Sequence, residues 1–411
     1  MDDAVTELTG EPDMTGQPDM TGQPGVMGRP GVTGPPGLTE STALTTCPLC
    51  HVVVGDSEQF CEACGAGLTP TVVAAEPPPT EVSTQETPAP NDLDETASIC
   101  QACGSEVASD GYCGSCGARA SKRREHFSEQ PAPWVAAVCD RGIRHTRNED
   151  AVALWAEAEP GSRAVLVVCD GVSSSVDSDV ASLAAARAAR DVLAASNSRG
   201  VGTASSLLAA VVTRLEAATD AALDAVLEVT RVARVAQEIT TANSAAEHTT
   251  VQDNPASCTF VAAVVEHDLL VVGSVGDSRA YWFPDAGTPI GLTVDDSFAQ
   301  EQIAAGVPRA EAETGFQAHA ITRWLGVDAP DHTPRTTTMK LIEPGWLMVC
   351  SDGLWNYCSA AEDLGALVNR TSGASPAAVE PLALAGALVD WANAQGGQDN
   401  ISVALARIHP T

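Results

Sequence analysis

The stretch LMVCSDGLWN, at positions 347–356, places four apolar or weakly polar residues ahead of Ser351 and then a carboxylate and a glycine, Asp352 and Gly353. The stretch VLVVCDGVS, at positions 165–173, repeats this pattern, because its apolar run ends at Asp170 and Gly171. A short apolar run bounded by turn residues is typical of a buried strand. One Asp-Gly pair after a strand indicates only a turn, but two strands with matching ends predict a shared role for their carboxylates.

Further strand-like runs lie outward from these two stretches, namely WVAAVCD at 134–140, CTFVAAVV at 258–265, DLLVVGSVGD at 268–277 and ISVALARI at 401–408. Helical spacing of apolar residues predicts three helices, at about 178–196, 203–240 and 376–395. Because many strands follow one another without a helix between them, the sequence predicts an α+β fold with antiparallel sheets rather than a doubly wound parallel sheet.

The overall charge restricts the classes of partner. The chain has 411 residues, which is more than one average domain, and a formal net charge of −32. Such a surface repels nucleic acid and anionic membranes, and the short basic cluster at 122–124 is interpreted as a solvated linker. The first residues, MDDAVTELTG, do not resemble a secretory signal, and no apolar run is long enough to span a membrane. These features predict a cytoplasmic protein.

The first third of the chain alternates biased segments with cysteine modules. Residues 1–45 are rich in Gly and Pro and are predicted to be a disordered tail, because their collagen-like triplets are too few to hold a triple helix. Residues 69–97 are rich in Pro, Thr and Glu and are predicted to be a flexible linker. A shorter linker is predicted at 119–133, ahead of the domain predicted at 134–409.

Two cysteine quartets separate these segments, at 46–68 and 98–118, and consist of Cys47, Cys50, Cys61 and Cys64 and of Cys100, Cys103, Cys113 and Cys116. Two Cys-x-x-Cys pairs facing each other provide four thiolates in a tetrahedron, which suits a structural Zn²⁺ ion without an open coordination position. The quartets resemble zinc-ribbon modules, so two structural Zn²⁺ ions are predicted. The sequence leaves open whether these modules dock a protein partner or form a stable spacer. Thiol redox chemistry by the Cys-x-x-Cys pairs is less favoured.

Other acids near predicted strand ends extend the pattern of the opening stretches. Glu149 and Asp150 lie in RHTRNEDA, Asp277 lies in SVGDSRAY and Asp399 lies in GGQDNIS. Each motif alone is typical of a solvated turn. Carboxylates gathered at one end of a sheet repel one another unless cations lie among them, and oxygen ligands without His or Cys favour Mg²⁺ or Mn²⁺. The strands are therefore predicted to deliver their acids to a metal site.

The order of the motifs resembles the metal-dependent protein phosphatase family, the PPM or type 2C serine/threonine phosphatases. These motifs are R-H-x-x-R-N-E-D, V-V-C-D-G-V, S-C-T-F, G-D-S-R-A-Y, L-T-x-D-D-S, I-T-R-x-L-G, C-S-D-G-L-W and Q-D-N-I-S. The resemblance covers residues 134–409. It implies a four-layer α-β-β-α sandwich, in which two antiparallel sheets pack face to face and two metals lie at one edge.

The resemblance also implies individual ligand roles. Asp170 would bridge two Mg²⁺ or Mn²⁺ ions, and Asp352 and Asp399 would complete the first of them. Glu149 and the carbonyl of Gly171 would serve the second ion. Asp170, Asp352 and Asp399 are therefore the predicted catalytic residues of a phosphatase.

Further residues are assigned by the same resemblance. Asp150 would hold a water bound to a metal, and Asp277 would share a weaker third metal with Asp352. Residues 295–326 would contain a flap beside the site. A hydroxide between the two ions would attack the phosphorus of a phosphoserine or phosphothreonine in a protein, opposing a serine/threonine kinase.

Three positions depart from the family pattern. His145 stands where the family usually has a phosphate-binding arginine, so Arg144, His145 and Arg147 are the candidates for contacting substrate phosphate. Val172 stands where some members place a histidine acid, which leaves protonation of the leaving group to water. Asn356 replaces a frequent aspartate and weakens the expected third metal site.

Two other functions remain as alternatives. The departures at His145 and Asn356 are compatible with a weakly active scaffold that binds phosphoproteins. A nucleic-acid adaptor built on the zinc ribbons is disfavoured by the net charge of −32.

Overall fold

The computed structural model describes residues 45–46, 53–54, 99–100, 103–120, 122–195, 203–243, 254–315, 317–373 and 379–410. The chain divides into two units, Met1–Pro79 and Thr80–Thr411. The described part of the first unit is one antiparallel pair of short strands, β1 (Thr45–Thr46) and β2 (Val53–Val54). The cysteine quartet at 47–64, the linker at 69–97 and the tail, apart from Thr45, lie outside the described residues.

The second unit is built from thirteen strands and seven helices among its described residues. The strands are β3 (His126–Ala132), β4 (Val135–Asp140), β5 (Ala151–Ala156), β6 (Arg163–Cys169), β7 (Ser257–Cys258), β8 (Phe260–Glu266), β9 (Leu269–Val275), β10 (Arg279–Pro284), β11 (Ile290–Gly291), β12 (Leu325–Gly326), β13 (Arg335–Lys340), β14 (Gly345–Cys350) and β15 (Ile401–Ile408). The helices are α1 (Ser178–Ala194), α2 (Ala204–Asn243), α3 (Phe298–Ala304), α4 (Arg309–Ala312), α5 (Asp352–Trp355), α6 (Ala361–Ser372) and α7 (Pro381–Gln395).

Two antiparallel sheets pack face to face and confirm the predicted α-β-β-α sandwich. One sheet has the order β11-β10-β14-β15-β4-β3 and the other has the order β13-β9-β8-β6-β5. Apolar side chains from both sheets form a shared core between them. Helices α1 and α2 cover the outer face of the five-stranded sheet, and α6 and α7 cover that of the six-stranded sheet. The central strands of each sheet are thus buried on both faces, which explains why they are continuous apolar runs rather than alternating ones.

The three helices predicted from apolar spacing are present as α1, α2 and α7. Helix α1 lies close to its sheet because the residues it buries include alanines at helical spacing, Ala181, Ala185 and Ala189. Helix α7 begins at Pro381, later than predicted, because proline is favoured at the first helical position. None of the described helices has the length and apolar character that crossing a bilayer requires.

The predicted linker at 119–133 is wrong over much of its length. Residues His126–Ala132 form β3, the edge strand of the six-stranded sheet, and Phe127 is buried in the core between the sheets. The interpretation of the basic cluster as solvated is wrong for Arg124, which is buried, and right for Lys122 and Arg123, which are exposed. The apolar signal of β3 is weak in the sequence because its buried positions include Glu129.

Glu129 provides a stability prediction. Its side chain is 2 % exposed, and burial raises its pKa to about 7, although the Leu154 N–H donates to Oε2 at 2.8 Å and the charges of Arg190 and Arg187 oppose the shift. Because the folded pKa lies above the ordinary value of 4.5, stability from this group falls as the pH rises from 4.5 through 7. Glu129→Gln keeps an acceptor for Leu154 and is expected to stabilise the protein by about 3 kcal/mol at pH 8 and little at pH 5.

Urea unfolding at the two pH values, followed by tryptophan fluorescence, measures this difference. The exposed Glu216→Gln on α2 is the matched control and should not change stability at either pH. A Glu129→Gln variant less stable than the wild type at pH 8 would mean that Glu129 is ionised and stabilised by its arginines.

Candidate metal centre

The register of the two sheets brings the predicted acids to one rim. In the five-stranded sheet Ala151 pairs with Cys169, so Glu149 and Asp150 precede β5 at the edge where Asp170 follows β6. Phe260 pairs with Val275, which places Asp277, just beyond β9, at the same end of that sheet. Neighbouring antiparallel strands alternate in direction, so the start of one strand and the end of the next share an edge.

The six-stranded sheet contributes the remaining acids in the same way. Cys350 pairs with Val403, so Asp352 follows β14 at the edge where Asp399 precedes β15. The charge of Asp352 raises the pKa of Asp170, so the acids of the two sheets lie close enough to interact at this rim. All six predicted acids therefore lie at one end of the sandwich.

Burial and mutual repulsion raise the pKa values of four of these acids. Burial raises the pKa of Asp170 well above its usual range, and neighbouring charges add to the shift, in the order Asp150, Asp352, Asp399 and Asp277. Burial also raises the pKa values of Asp150 and Asp352 to about 7, and the charge of Asp399 adds to both. Asp277 is shifted upward by burial and then by Asp352. Such a group of carboxylates is stable in its ionised form only with cations among its oxygens.

Two buried oxygens of the rim have no hydrogen-bond partner among the described residues, Asp150 Oδ1 and Asp352 Oδ1. The other oxygen of each carboxylate accepts a hydrogen bond. Ser351 Oγ donates to Asp150 Oδ2 at 2.7 Å, and Asn356 Nδ2 donates to Asp352 Oδ2 at 2.9 Å. A buried carboxylate oxygen without a partner is costly unless a ligand satisfies it. The donor set of carboxylates and a carbonyl fits Mg²⁺ or Mn²⁺.

Glu149 differs from the other acids. Its pKa is lowered even though burial opposes the shift, because Ser178 Oγ donates to Oε1 at 2.6 Å and Arg147 Nη2 donates to the same oxygen at 2.7 Å. His145 lies between two predicted ligands, with Nδ1 3.6 Å from Glu149 Oε2 and Nε2 3.2 Å from Asp399 Oδ1. Its hydrogen bonds thus favour the ionised form of Glu149, which is a predicted ligand of the second ion.

Asn400 organises the backbone around these ligands, a role that the sequence analysis missed. Its Oδ1 accepts from the Glu149 N–H at 2.7 Å, and its Nδ2 donates to the carbonyls of Arg141 at 2.7 Å and Arg147 at 3.1 Å. Gly353 packs against the same residue, and a Cβ there would lie 2.0 Å from the Asn400 carbonyl oxygen. The Asp-Asn and Asp-Gly dipeptides are therefore tied together across the rim rather than forming separate turns.

The cysteine quartet at 100–116 is the one group of His, Cys, Asp or Glu side chains among the described residues whose ligand atoms all lie within 4.8 Å of one another. Cys100 Sγ lies 3.6 Å from Cys116 Sγ, and Cys103 Sγ lies 3.4 Å from Cys113 Sγ. Zn–S bonds of about 2.3 Å in a tetrahedron separate sulfurs by roughly 3.8 Å, so the quartet fits Zn²⁺.

The family model described as Protein phosphatase 2C matches residues 142–389. The chain belongs to this family. It is 30% identical over 153 residues to Serine/threonine phosphatase stp of Listeria welshimeri, which is 37% of this chain and 57% of that protein. It is 30% identical over 149 residues to a Putative protein phosphatase 2C-type of Streptococcus pyogenes, which is 36% of this chain and 56% of that protein. The matches thus span a little over half the length of these curated relatives.

The fold is shared with a solved protein, Serine/threonine phosphatase Stp1 from Staphylococcus aureus. The TM-score is 0.51 and the sequence identity is 22%, with 67% of this chain and 94% of that chain covered. The protein phosphatase 2C architecture therefore agrees with the α+β sandwich described above.

The three phosphate candidates of this phosphatase 2C chain lie in different surroundings. Arg147 is turned toward Glu149 and Ser178, and its Nη2 lies 3.2 Å from Ser178 Oγ. His145 is engaged with the ligand carboxylates. Arg144 is exposed and makes no ion pair within the described part of the chain, and its N–H donates to the Gly397 carbonyl at 3.0 Å. The backbone of Arg144 therefore lies beside the turn that leads to Asp399.

The segment predicted as a flap, 295–326, contains α3, α4 and β12. At its start, Asp295 binds the buried guanidinium of Arg279, with Nη2 2.6 Å from Oδ2. That guanidinium lies 3.5 Å above the ring of Trp355, whose Nε1 donates to the Asp277 carbonyl at 3.0 Å. Asp295, at the start of this segment, is thus connected to the backbone of Asp277 through Arg279 and Trp355.

Proposed function

We propose that this protein hydrolyses phosphoserine and phosphothreonine in other proteins and so opposes a serine/threonine kinase. The reaction takes place at the acidic rim, the end of the sandwich where the six predicted acids lie. The supporting observation is the set of buried and partly buried, mutually repelling carboxylates at one end of a protein phosphatase 2C sandwich. The proposed ligands of two Mg²⁺ or Mn²⁺ ions, and of a weaker third, are Glu149, Asp150, Asp170, Gly171, Asp277, Asp352 and Asp399.

Each of these groups has a role that its surroundings support. Asp170 follows β6 of one sheet and interacts with the charges of Asp352 and Asp399 from the other sheet, which suits a carboxylate shared by two ions. Glu149 and the Gly171 carbonyl are the proposed ligands of the second ion, and the Gly171 N–H donates to the Glu149 carbonyl at 3.2 Å. Two ions held by these residues would offset the negative charge of the phosphoryl oxygens and lower the pKa of a water molecule, so that its deprotonated form would be available to attack phosphorus at neutral pH.

The chain itself orients the reactants. Asp150 Oδ1, which has no partner among the described residues, accepts a hydrogen bond from the attacking water, while Ser351 fixes the other carboxylate oxygen. Arg144 supplies a cation for the substrate phosphate, because Arg147 and His145 are engaged with Glu149. Val172 follows Gly171 and has no proton to give, so the leaving oxygen takes its proton from water.

The test is hydrolysis of a phosphothreonine peptide by the purified chain. We expect turnover that requires Mn²⁺ or Mg²⁺ and is abolished by EDTA, because carboxylate-held ions are removed by the chelator. Turnover at the background level with Mn²⁺ bound would instead support a phosphoprotein-binding scaffold, for which the contact of Asn356 with Asp352 is the favouring observation. Full activity in EDTA would exclude the metal mechanism.

We also propose that the two cysteine quartets hold structural Zn²⁺ and dock a protein partner. Elemental analysis of the purified chain is expected to give two zinc ions per chain, and Cys113→Ser is expected to lower this to one, because a tetrahedral site with three thiolates loses affinity. The matched control is Cys358→Ser, which lies outside both quartets and should retain two. Unchanged zinc in Cys113→Ser would show that this quartet is not a metal site.

A further inference from the structure

We propose that Arg124 is a positioning residue for the metal ligands Glu149 and Asp150, and that it connects the cysteine quartet at 100–116 to the metal rim. The catalytic part of this inference rests on the proposed phosphatase function. Arg124 lies in the short segment between that quartet and β3, and its side chain is 6 % exposed.

The guanidinium of Arg124 holds the backbone on both sides of Glu149. Its Nε donates to the Asn148 carbonyl at 3.1 Å, and its Nη2 donates to the Asp150 carbonyl at 3.3 Å. The contact is reciprocal, because Asn148 Nδ2 donates to the Arg124 carbonyl at 2.9 Å. A planar guanidinium presents several donors in a fixed fork, so these carbonyls are oriented together.

The same guanidinium group also acts on the carbonyl of Glu149, through Ser182. Arg124 Nη2 also donates to the Asp179 carbonyl and, at 3.3 Å, to Ser182 Oγ, which in turn donates to the Glu149 carbonyl. Three successive carbonyls, at 148, 149 and 150, are therefore fixed directly by Arg124 or through Ser182. Because the peptide planes set the direction of each Cα–Cβ bond, this network aims the side chains of Glu149 and Asp150.

The cysteine quartet lies only a few residues before this network. The Ala120 N–H donates to the Gly111 carbonyl at 2.7 Å, and the Cys113 N–H donates to the Ala118 carbonyl at 2.8 Å, so the module's own hydrogen bonds extend to residue 120. Beyond Arg124, the Arg141 N–H donates to the Glu125 carbonyl at 2.8 Å. Four residue steps separate Ala120 from Arg124 and span at most about 14 Å, so the folded module restrains the chain that enters Arg124, and loss of zinc is expected to loosen that restraint.

The test compares Arg124→Gln and Arg124→Lys with Arg123→Gln in the full chain. Arg123 is adjacent, equally charged and exposed, so it is a matched control. Mn²⁺ affinity is measured by calorimetry, and hydrogen exchange is followed at residues 147–152. We expect at least tenfold weaker Mn²⁺ binding and faster exchange in both Arg124 variants, because lysine lacks the fork, and less than a twofold change in Arg123→Gln.

The variant Phe127→Leu tests for a purely structural role, because Phe127 belongs to the core between the sheets and its side chain has no atom that could hydrogen-bond the backbone at 148–150. It is expected to lower the melting temperature while leaving Mn²⁺ affinity within twofold. Arg124 variants that match Arg123→Gln, or Phe127→Leu with the same loss of Mn²⁺ binding as Arg124→Gln, would overturn the positioning role.

The connection to the cysteine module has its own measurement. Cys113→Ser is expected to weaken Mn²⁺ binding about three- to fivefold in the wild-type background and to have no further effect in Arg124→Gln, because both act through the same contact. No change in the wild-type background, or equal effects in both backgrounds, would refute the connection. If the wild type binds no Mn²⁺, the proposed function fails, while faster exchange at 147–152 in Arg124→Gln still decides the positioning role.

Discussion

Asp170→Asn is expected to lower Mn²⁺-dependent hydrolysis of a phosphothreonine peptide by on the order of 10³-fold or more. Asparagine has nearly the shape of aspartate but no charge, so it is a poor bridge between two cations. Asp352→Asn is expected to have an effect of similar size, because the charge of Asp352 acts on Asp170 and its buried Oδ1 has no hydrogen-bond partner among the described residues. Initial rates at saturating Mn²⁺, together with calorimetric Mn²⁺ binding, measure the loss.

Asp170→Asn is also expected to stabilise the metal-free protein. Burial and the neighbouring carboxylates raise the pKa of Asp170, so its ionised form opposes folding. Asp224→Asn is the control, since Asp224 is exposed on α2 and makes no contact with the rim. Asp170→Asn with near-wild-type turnover would remove Asp170 from the mechanism, and an unstable variant would show that its charge supports the fold.

The metal-free protein is expected to lose stability as the pH rises, with a large share of the loss due to Asp150. The folded pKa of Asp150 is about 7 and its ordinary value is 3.8, so the folded state binds the extra proton between these values. The stability contributed by protonation is complete below 3.8 and is lost as the pH rises through 7. For Asp150 alone this loss is on the order of 4 kcal/mol, or roughly 10 °C in melting temperature.

Mn²⁺ is expected to reverse this loss. Adding it at pH 8 should raise the melting temperature by several degrees, whereas at pH 5 the protonated carboxylates bind it weakly and the increase should be small. Asp150→Asn keeps an acceptor for Ser351 and should flatten the pH dependence of the metal-free protein, while Asp224→Asn should not. A metal-free melting temperature that is constant from pH 5 to pH 8 would contradict the repulsion within the rim.

Most strands near the site were predictable because each is an apolar run with an acid and a turn residue at one end, but β5, which follows Glu149 and Asp150, was not predicted. The strand β3 was missed because it buries Glu129 and carries Pro131, so its composition is typical of a linker. Two tertiary interactions compensate for this weak local preference for a strand. The Leu154 N–H donates a hydrogen bond to the Glu129 carboxylate, and β3 pairs with β4 in the sheet. Tertiary contacts of this kind override local composition.

The residues that hydrogen-bond the acids or their backbone were less predictable from the sequence than the acids themselves. Ser351 and Asn400 are ordinary turn residues in the sequence, yet each contacts a metal-ligand candidate about 200 or more positions away. Arg124 was interpreted as one of three equivalent basic residues, and the structure separates it from exposed Arg123 by burying it. Spacing along the chain carries no signal for such contacts.

The sequence by itself determined which carboxylates are candidates and that they stand at strand ends, because hydrophobic periodicity and its abrupt stop are local properties. It also determined the thiolate quartets, because Cys-x-x-Cys spacing is local. Only the tertiary structure decided that the strands align to place the acids at one rim, and that Arg124 and Asn400 hold the backbone there. Strand register and buried hydrogen bonds depend on how distant segments pack, and that packing is a property of the whole chain.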